Sequence, residues 1–445
     1  MTRPELPRIR SLWISVRASA VALAIAVTSL LILSAVPLAQ AQTIDVLHSF
    51  TCCSQGYLPL AGLTMDKAGS LYGTTSTGGL SYGGGRCCGT VFKLTRKGSG
   101  WIFTPLYSFV GGSDGDNPAA PLVIGPDGSL YGTTLYGGSR TYCDSGNGCG
   151  TVFKLSPPAT ACKTALCGWK ETVLYSFTGG NDGGEPGYGP LVFDQAGNLY
   201  GTTITGGVGS CSSPAQTCGV VYKLTPSNGS WTESVLYSFQ GGSDGGNPYA
   251  GLIFDEAGNL YGATAVGGSG CNGYGCGTVF RLTPSGSGWT KNVLYTFQGS
   301  SDGLNPYGGL IFDGSGNLYG TTAGGGSGSG GTAFMLAPSN GNWKYSLVYS
   351  FAGSVTLPGP YDSLLMDTAG SLYGTTCCDG SASQGSVFKL TASNGGWTET
   401  DLYDFDCSDG CYPHGSVVLD ANENLYATAE LGGVGNGGVV FEITP

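Results

Sequence analysis

An all-β fold is predicted by three properties of the chain. Gly supplies 81 of the 445 residues, only 11% of residues are charged, and 40% are hydrophobic, with 11% aromatic. Beyond residue 41, short runs rich in Val, Leu, Ile, Phe, Tyr and Thr alternate with clusters of Gly, Asp, Asn, Ser and Pro. Many short strands separated by turns give this pattern, and the aromatic content argues against disorder.

The first 41 residues are predicted to be a signal peptide. Four Arg residues precede an apolar run from Ala18 to Val36, and Ala39-Gln40-Ala41 has the small-x-small form of a cleavage site. We therefore expect an exported protein, secreted, periplasmic or on the cell surface, with no membrane span after cleavage. An uncleaved anchor is the alternative, because the 19 residues of the apolar run can just span a bilayer.

The remaining chain is acidic. Residues 42–445 carry 14 basic and 28 acidic side chains, a formal net charge of −14. Binding to a phosphate backbone needs clustered Lys and Arg, so we do not expect a nucleic-acid partner. An acidic surface keeps an exported protein soluble, and we expect a monomer.

A five-residue string recurs through the chain. LYGTT begins at Leu71, Leu130, Leu199, Leu318 and Leu372, and the variants LYGAT and LYATA begin at Leu260 and Leu425. The mean spacing of 59 residues is slightly above the kelch period of about 50. Seven copies of one unit therefore make up the chain beyond residue 41.

Each copy is predicted to form a four-stranded antiparallel sheet. In the copy that starts at Asn247 we expect strands around Leu252–Asp255, Asn259–Thr264, Gly277–Thr283 and Trp289–Phe297, joined by the turns DEAGN and TPSGSG. Such sheets bury their faces by stacking radially against one another. Seven copies predict a seven-bladed β-propeller.

The two ends of the repeat array predict how the ring closes. The last copy, residues 413–445, has only three strands, and residues 43–50 have the pattern of an unattached fourth strand. We expect residues 42–445 to form one propeller in which residues 43–50 complete blade 7. Tryptophan opens the fourth strand of the other six copies, at Trp101, Trp169, Trp231, Trp289, Trp343 and Trp397.

The unit GLIFDEAGNLYGATAVGG…GTVFRLTP resembles the Gloeo-Verruco (GloVer) tandem repeat of secreted bacterial proteins. The resemblance covers essentially all of residues 42–445. It implies an extracellular location and brings no catalytic residues to carry over.

Sixteen Cys residues in an exported chain predict disulfides. Four pairs are close in sequence: Cys143/Cys149, Cys162/Cys167, Cys211/Cys218 and Cys271/Cys276. The others form two sets of four, Cys52, Cys53, Cys87 and Cys88, and Cys377, Cys378, Cys407 and Cys411. Each set allows three pairings, including bonds between adjacent Cys. We favour pairing between loops, which would clamp the ring where its ends meet. Zinc is the alternative, but no C-x-x-C pair occurs and only His48 and His414 are present.

The loops before the first strands and after the second strands share one face of the propeller, and function is expected there. Two kinds of side chain recur in the first set. The loops GGSDGDNP, GGNDGGEP, GGSDGGNP and GSSDGLNP place Asp114, Asp182, Asp244 and Asp302 at equivalent positions. These Asp residues either ligate calcium, the one cofactor that the sequence suggests, or shape tight turns.

Tyrosines follow these loops near the mouth of the central channel. They are Tyr57, Tyr188, Tyr249, Tyr307, Tyr361 and Tyr412, with Asp362 and His414 as polar neighbours. Their rings either stack on sugars or pack on the adjacent Pro and the neighbouring blades. The sequence thus favours a non-catalytic module that binds a glycan or a protein.

Two alternatives remain: a polysaccharide hydrolase or lyase that uses Asp116, Glu185 or Asp362, and a structural protein of the cell envelope. Repetition weighs against catalysis, since a single catalytic site needs residues in different roles. We therefore expect a structural role for the base that recurs on the third strand and the acid that ends the first strand, as turn caps and lateral ion pairs. These residues are Lys93, Lys154, Lys223, Arg281 and Lys389, and Asp66, Asp194, Asp255, Asp313, Asp367 and Asp420.

Overall fold

The computed structural model describes residues 42–51, 53–79, 88–139, 143, 146–158, 168–211, 217–268, 270–271, 275–353, 359–380 and 382–444. Within them, 29 strands form seven antiparallel sheets arranged as the blades of a β-propeller. The predicted signal peptide lies outside the described residues. In the described part of the chain, no helix has the length and hydropathy needed to cross a membrane.

The strands are numbered in chain order. Blade 1 contains β2 (Thr64–Met65), β3 (Leu71–Thr75), β4 (Thr90–Lys97) and β5 (Gly100–Ser108). Blade 2 contains β6 (Val123–Ile124), β7 (Leu130–Thr134), β8 (Thr151–Ser156) and β9 (Lys170–Ser176). Blade 3 contains β10 (Gly184–Pro186), β11 (Val192–Phe193), β12 (Leu199–Thr205), β13 (Val220–Ser227) and β14 (Ser230–Ser238). Blade 4 contains β15 (Ile253–Phe254), β16 (Leu260–Thr264), β17 (Thr278–Ser285) and β18 (Gly288–Thr296).

Blade 5 contains β19 (Ile311–Phe312), β20 (Leu318–Thr322), β21 (Ser329–Ser339) and β22 (Asn342–Ala352). Blade 6 contains β23 (Leu365–Met366), β24 (Leu372–Thr376), β25 (Ser386–Ser393) and β26 (Gly396–Asp404). Blade 7 contains β27 (Val418–Leu419), β28 (Leu425–Ala429), β29 (Val439–Thr444) and β1 (Thr43–Ser49). Within the described ranges, short 3₁₀ helices lie at Cys53–Gln55, Gly112–Asp114 and Gly242–Asp244.

The predicted ring closure is confirmed. The strand order of blade 7 is β1-β29-β28-β27, so the N-terminal strand is the fourth strand of the last blade. Phe50, just after β1, is fully buried with Phe92 and Leu94 of blade 1 and with Tyr426 and Val440 of blade 7. The first and last repeats are thereby joined by the same kind of core as the other blades.

The strand predictions differ from the structure in two respects. The first strands have two residues in place of the expected four, and at their C-terminal end this is because the acid that follows them already forms a turn. Asp255 accepts hydrogen bonds at Oδ1 from the backbone N–H groups of Ala257 (3.0 Å) and Asn259 (2.8 Å). Blade 3 also has an additional strand, β10, which pairs with β12.

The hydrophobic core lies between blades. Tyr200 and Val221 of blade 3, for example, pack with Leu252 and Phe280 of blade 4 in one buried cluster. Burial of apolar surface is the main stabilising term in folding, and a single four-stranded sheet cannot bury its own faces. Blade-to-blade stacking therefore supplies most of the stability.

LYGTT and its variants form the strand that follows the short first strand of each blade, and blade 4's copy, LYGAT, shows what four of the five positions do. Leu260 is fully buried, and Tyr261 donates a hydrogen bond from its hydroxyl to Asp255 (3.0 Å). A Cβ on Gly262 would lie 2.7 Å from Cζ of Phe280 on β17, so glycine is required for close packing. Thr264 forms a buried hydroxyl contact of 2.8 Å with Thr278. The string is an element of packing.

The predicted turn caps are confirmed for the recurring acids, and the predicted ion pairs are confirmed in blades 1 and 6. Asp66 and Lys93 form an ion pair of 3.9 Å, and Asp367 and Lys389 form one of 4.0 Å. In blade 2, where Gly125 replaces the acid, Asp127 takes over the same contacts and pairs with Lys154 at 2.6 Å. These groups cap turns and brace neighbouring strands.

Three of the four predicted local disulfides are present, Cys143–Cys149, Cys211–Cys218 and Cys271–Cys276. Cys162 and Cys167 lie outside the described residues. The preference for pairing between loops is wrong for the second set, where Cys377 bonds to its neighbour Cys378 and Cys407 bonds to Cys411. Both bonds close within one loop, so neither of them clamps two loops together. In the first set Cys88 is disulfide-bonded, whereas Cys52, Cys87 and the side chain of Cys53 lie outside the described part.

Candidate functional site

One position in each copy projects toward a common cavity. It lies three residues before a buried Leu or Val that directly precedes the short first strand of the blade (β11 in blade 3): Leu63, Leu122, Leu191, Leu252, Leu310, Leu364 and Val417. The seven residues at this position, here called the ring position, all line a single cavity of about 350 Å³: Leu60, Ala119, Tyr188, Tyr249, Tyr307, Tyr361 and His414. The propeller's symmetry therefore brings residues that are far apart in sequence to one site.

Five of the ring positions form a continuous aromatic arc across blades 3 to 7. The rings of Tyr188 and Tyr249 are parallel, with centroids 5.9 Å apart, and Tyr249 meets Tyr307 edge to face at 4.9 Å. Tyr307 and Tyr361 are parallel at 5.5 Å, and Tyr361 meets the imidazole of His414 at 5.0 Å. Each ring holds its neighbour, so the arc is preorganised.

Blades 1 and 2 give the cavity an apolar side. Their ring positions are Leu60 and Ala119, and Ala61 also lines the wall. A small buried cluster of Ala119, Leu135 and Ile204 packs against Leu60 and Tyr249. The cavity thus has an aromatic side with hydroxyl groups and an aliphatic side without them.

Asp362 is the one carboxylate among the described residues that line the cavity. Its Oδ1 accepts a hydrogen bond from the backbone N–H of Ser363 (2.6 Å), and its Oδ2 accepts one from the N–H of Ser416 in blade 7 (2.8 Å). Burial raises the pKa of this carboxyl above its ordinary value, and the backbone hydrogen bonds oppose that shift. Asp362 therefore ties blade 6 to blade 7 and presents a polar group to the cavity.

The ring tyrosines stay protonated at neutral pH. Burial raises the pKa of Tyr188 to about 12 and that of Tyr361 to about 12, and it raises the pKa values of Tyr249 and Tyr307 as well. Tyr188 is 40% exposed, so the arc is accessible at that end. The phenols can act as neutral hydrogen-bond donors and acceptors.

His414 is held by an acid of its own blade. Its Nε2 lies 3.0 Å from Oε2 of Glu430, and both side chains are about one quarter exposed. The backbone N–H of Glu430 in turn donates to the carbonyl of Tyr412 (3.1 Å). The imidazole is thus fixed at the end of the arc by a contact outside the cavity.

Two tyrosines predicted for the mouth of the channel are absent from the described lining of the cavity. Tyr57 lies three residues before the ring position Leu60, and its backbone pairs with Thr77. Tyr412 lies two residues before His414, with its N–H bonded to the carbonyl of Gln384. Counting back three residues from the buried Leu or Val of each blade excludes Tyr57 and Tyr412 from the ring position. It selects Leu60 in blade 1, His414 in blade 7 and, in blade 2, Ala119.

The four repeated Asp residues shape turns. Asp182 accepts hydrogen bonds at Oδ2 from the Tyr175 hydroxyl (3.0 Å) and the Thr178 backbone N–H (2.9 Å). Asp114, Asp244 and Asp302 have the same pair of contacts. Among the described residues, no group of three or more His, Cys, Asp or Glu is arranged to hold a metal ion. These contacts agree with the turn interpretation, and calcium binding stays a prediction.

Asp116 and Glu185, the other acids predicted as candidates for catalysis, lie in the loop before β6 and on β10. Burial and the nearby charge of Asp114 raise the pKa of Asp116. The charge of Glu185 acts on Tyr136, Tyr188 and Tyr249 and adds to the rise in their pKa values. Neither acid is among the residues that line the cavity.

The fold and its ring cavity define a repeat β-propeller, and the sequence comparison gives its family. The family described as "Gloeobacter/Verrucomicrobia repeat" matches residues 36–273, 143–361 and 272–445. The chain belongs to this repeat family. No curated protein sequence matches it significantly.

Solved structures with the same fold include enzymes. A polysaccharide lyase described as an ulvan lyase of family PL25 is 11% identical, with 89% of this chain and 95% of that chain covered and a TM-score of 0.54. A fungal alcohol oxidase of the AA5 family in complex with copper is 12% identical, with 91% and 77% covered and a TM-score of 0.54. At these identities the similarity shows the fold alone.

Proposed function

We propose that this protein is an exported, non-catalytic β-propeller that binds a glycan in the ring cavity. The observation that carries the proposal is the arc of four tyrosines and His414 along one side of a cavity of about 350 Å³. Sugar rings present apolar C–H faces and hydroxyl edges. Aromatic faces with phenol groups complement both.

The size and composition of the cavity support a small-molecule or chain-end ligand. Ligand pockets are typically about 300–1,000 Å³, mostly apolar, with a few polar groups that fix orientation. Here Asp362 and His414 supply those polar groups, and Leu60 with Ala119 supplies an apolar wall. A protein partner that inserts one side chain is the alternative occupant.

Export is part of the proposal. It is supported by the basic and apolar pattern of residues 1–41 and by five disulfides in the described residues. Disulfides persist in oxidising compartments. Secretion, display on the surface and retention in a periplasm are all compatible with them.

The hydrolase alternative is less well supported by the site. Glycoside hydrolases generally use two carboxyl groups that flank the bond to be cleaved. Among the described residues that line this cavity, Asp362 is the one carboxylate, and two backbone N–H groups already bond to it. A polysaccharide-cleaving activity would therefore need residues from outside the lining.

A glycan array tests the proposal. We expect the purified protein to bind a restricted set of glycans and to lose that binding when Tyr249 and Tyr307 are both changed to Ala. Repeating the array with EDTA tests whether calcium is bound. Unchanged glycan binding and an unchanged melting temperature would exclude a calcium site. Release of products from any bound polysaccharide would favour the enzyme. No binding to any glycan would favour a structural role and overturn the proposal.

A further inference from the structure

The wall of the ring cavity carries no positively charged Lys or Arg among the described residues that line it. Its one basic side chain is His414, whose Nε2 lies 3.0 Å from Glu430. An incoming anion would therefore find no Lys or Arg with which to pair. It would also have to displace Glu430 in order to use the imidazole.

The single acid among the described residues of the wall is a departure from the repeat. Asp362 occupies the position directly after the ring position. The other six copies have Ala or Gly there, at Ala61, Ala120, Gly189, Ala250, Gly308 and Gly415. The other copies therefore have a small, uncharged residue at this position. Blade 6 alone places a carboxyl group there, on the cavity wall.

Further negative charge acts on tyrosines at both ends of the arc. Besides burial, the charge of Glu185 raises the pKa values of Tyr188 and Tyr249, and the charge of Glu430 raises that of Tyr361. No positive group contributes to the shifts of the four ring tyrosines. The acids that line the cavity or act on its tyrosines are therefore Asp362, Glu185 and Glu430, and its described lining has no Lys or Arg to offset them.

We propose, on the basis of the glycan-binding function proposed above, that the ring cavity selects uncharged or amine-bearing sugars and rejects glycans that carry uronate or sulfate groups. An anionic sugar would lose its hydration on entry, gain no compensating ion pair, and be repelled by Asp362, Glu185 and Glu430. Such unfavourable contacts are a normal source of specificity. Uncharged hydroxyls and ammonium groups incur no such repulsion.

Calorimetric titration with charge-matched oligosaccharides tests this selectivity. The probes are uncharged tetramers of glucose, mannose, galactose and N-acetylglucosamine, the glucosamine tetramer as the amine-bearing probe, and galacturonate and sulfated galactose tetramers as anions. We expect at least one uncharged or amine-bearing probe to bind roughly tenfold or more tightly than every anionic probe. Added NaCl should weaken binding of the glucosamine tetramer and leave binding of uncharged probes unchanged.

Two variants separate charge from shape. Asp362→Asn and Glu185→Gln keep the size of the side chain and remove its charge. Each should therefore reduce the difference in affinity between uncharged and anionic probes. Glu256→Gln removes the same charge from an exposed turn of blade 4 and should leave the difference unchanged. Melting temperatures confirm that each variant is folded.

The outcomes distinguish the two proposals. If an anionic tetramer binds as tightly as the best uncharged or amine-bearing one, and this binding requires the tyrosine arc, the charge selectivity is wrong and the glycan-binding function stands. If no probe binds, or binding survives the loss of Tyr249 and Tyr307, the glycan site itself is overturned.

Discussion

The hydroxyl of Thr428 in blade 7 donates a hydrogen bond of 2.8 Å to the carbonyl of Ala61 in blade 1, across the junction that closes the ring. The first Thr of LYGTT makes the same contact to the next blade in blades 3, 5 and 6, as Thr202 does to Ala250 (2.9 Å) and Thr375 to Gly415 (3.1 Å). Since Ala61 and Ala250 line the ring cavity, these bonds also position its wall.

Thr428→Val should destabilise the ring, because it removes the hydroxyl and leaves a buried carbonyl without its partner. We expect the free energy of unfolding to fall by about 1–2 kcal/mol, measured by chemical denaturation. The equivalent Thr74 provides the matched control, since its buried hydroxyl has no hydrogen-bond partner in the described structure. Thr74→Val should be neutral or slightly stabilising. Equal losses in both variants would contradict the assigned role of the bond.

Gly262→Ala should destabilise blade 4 by about 1–3 kcal/mol, the usual cost of overpacking a core. The new Cβ would lie 2.7 Å from Cζ of Phe280 and 3.0 Å from Cδ2 of Leu252. Gly314→Ala is the control, because nothing lies within 4 Å of a Cβ there. Thermal denaturation measures both.

Blade 7 indicates how the same substitution can be tolerated. It has Ala427 in place of the glycine, and the residue that corresponds to Leu252 is the shorter Val417. We therefore expect Leu252→Val to recover part of the stability lost in Gly262→Ala. If the double variant loses as much stability as the two single variants lose together, Leu252 is not the limiting contact.

Stability should fall as the pH rises from about 5 to 8 because of two half-buried acids. Burial first, and then the charge of a nearby Asp, raise the pKa values of Glu171 and Glu233 from 4.5 to about 7. Between these values the folded chain binds more protons than the unfolded chain. The stability that is fully present below pH 4.5 is therefore lost as the pH rises through 7.

Glu171→Gln and Glu233→Gln remove the ionisation and should each flatten this pH dependence. We expect each variant to gain roughly 1 to 3 °C in melting temperature at pH 8 relative to the wild type, and less at pH 5. Glu256→Gln, in an exposed turn, is the control. If the slope of melting temperature against pH is the same in all three variants, these two acids do not cause it.

The blade count, the strand order and the ring closure could all be predicted from the sequence, because they depend on features that recur in every copy. LYGTT, the Asp-Gly turns and the fourth-strand Trp are such features. The exact ends of the first strands could not be predicted, since Asp255 terminates the strand through bonds to its own turn.

The candidate site could be predicted only in part. The position of Tyr188, Tyr249, Tyr307, Tyr361 and His414 after the loops that precede the first strands predicts that they lie near the mouth of the channel, and all five line the cavity. Tyr57 and Tyr412 are not in its described lining, because loop length varies and the type of residue alone does not give its register. Leu60 and Ala119 have no chemical feature that marks them, and only the spacing to a buried Leu identifies them. The pairing of Cys377 with Cys378 was an open alternative that spacing alone could not select.

The central claim is that the tyrosine arc is a sugar-binding surface, and calorimetric titration of the best array ligand into arc variants tests it most directly. We expect Tyr249→Ala and Tyr307→Ala each to weaken binding roughly tenfold, the usual effect of truncating a central aromatic contact. Tyr57→Ala, outside the cavity lining, should bind as the wild type does. Unchanged affinity in folded Tyr249→Ala and Tyr307→Ala, or a loss in Tyr57→Ala alone, would contradict the claim.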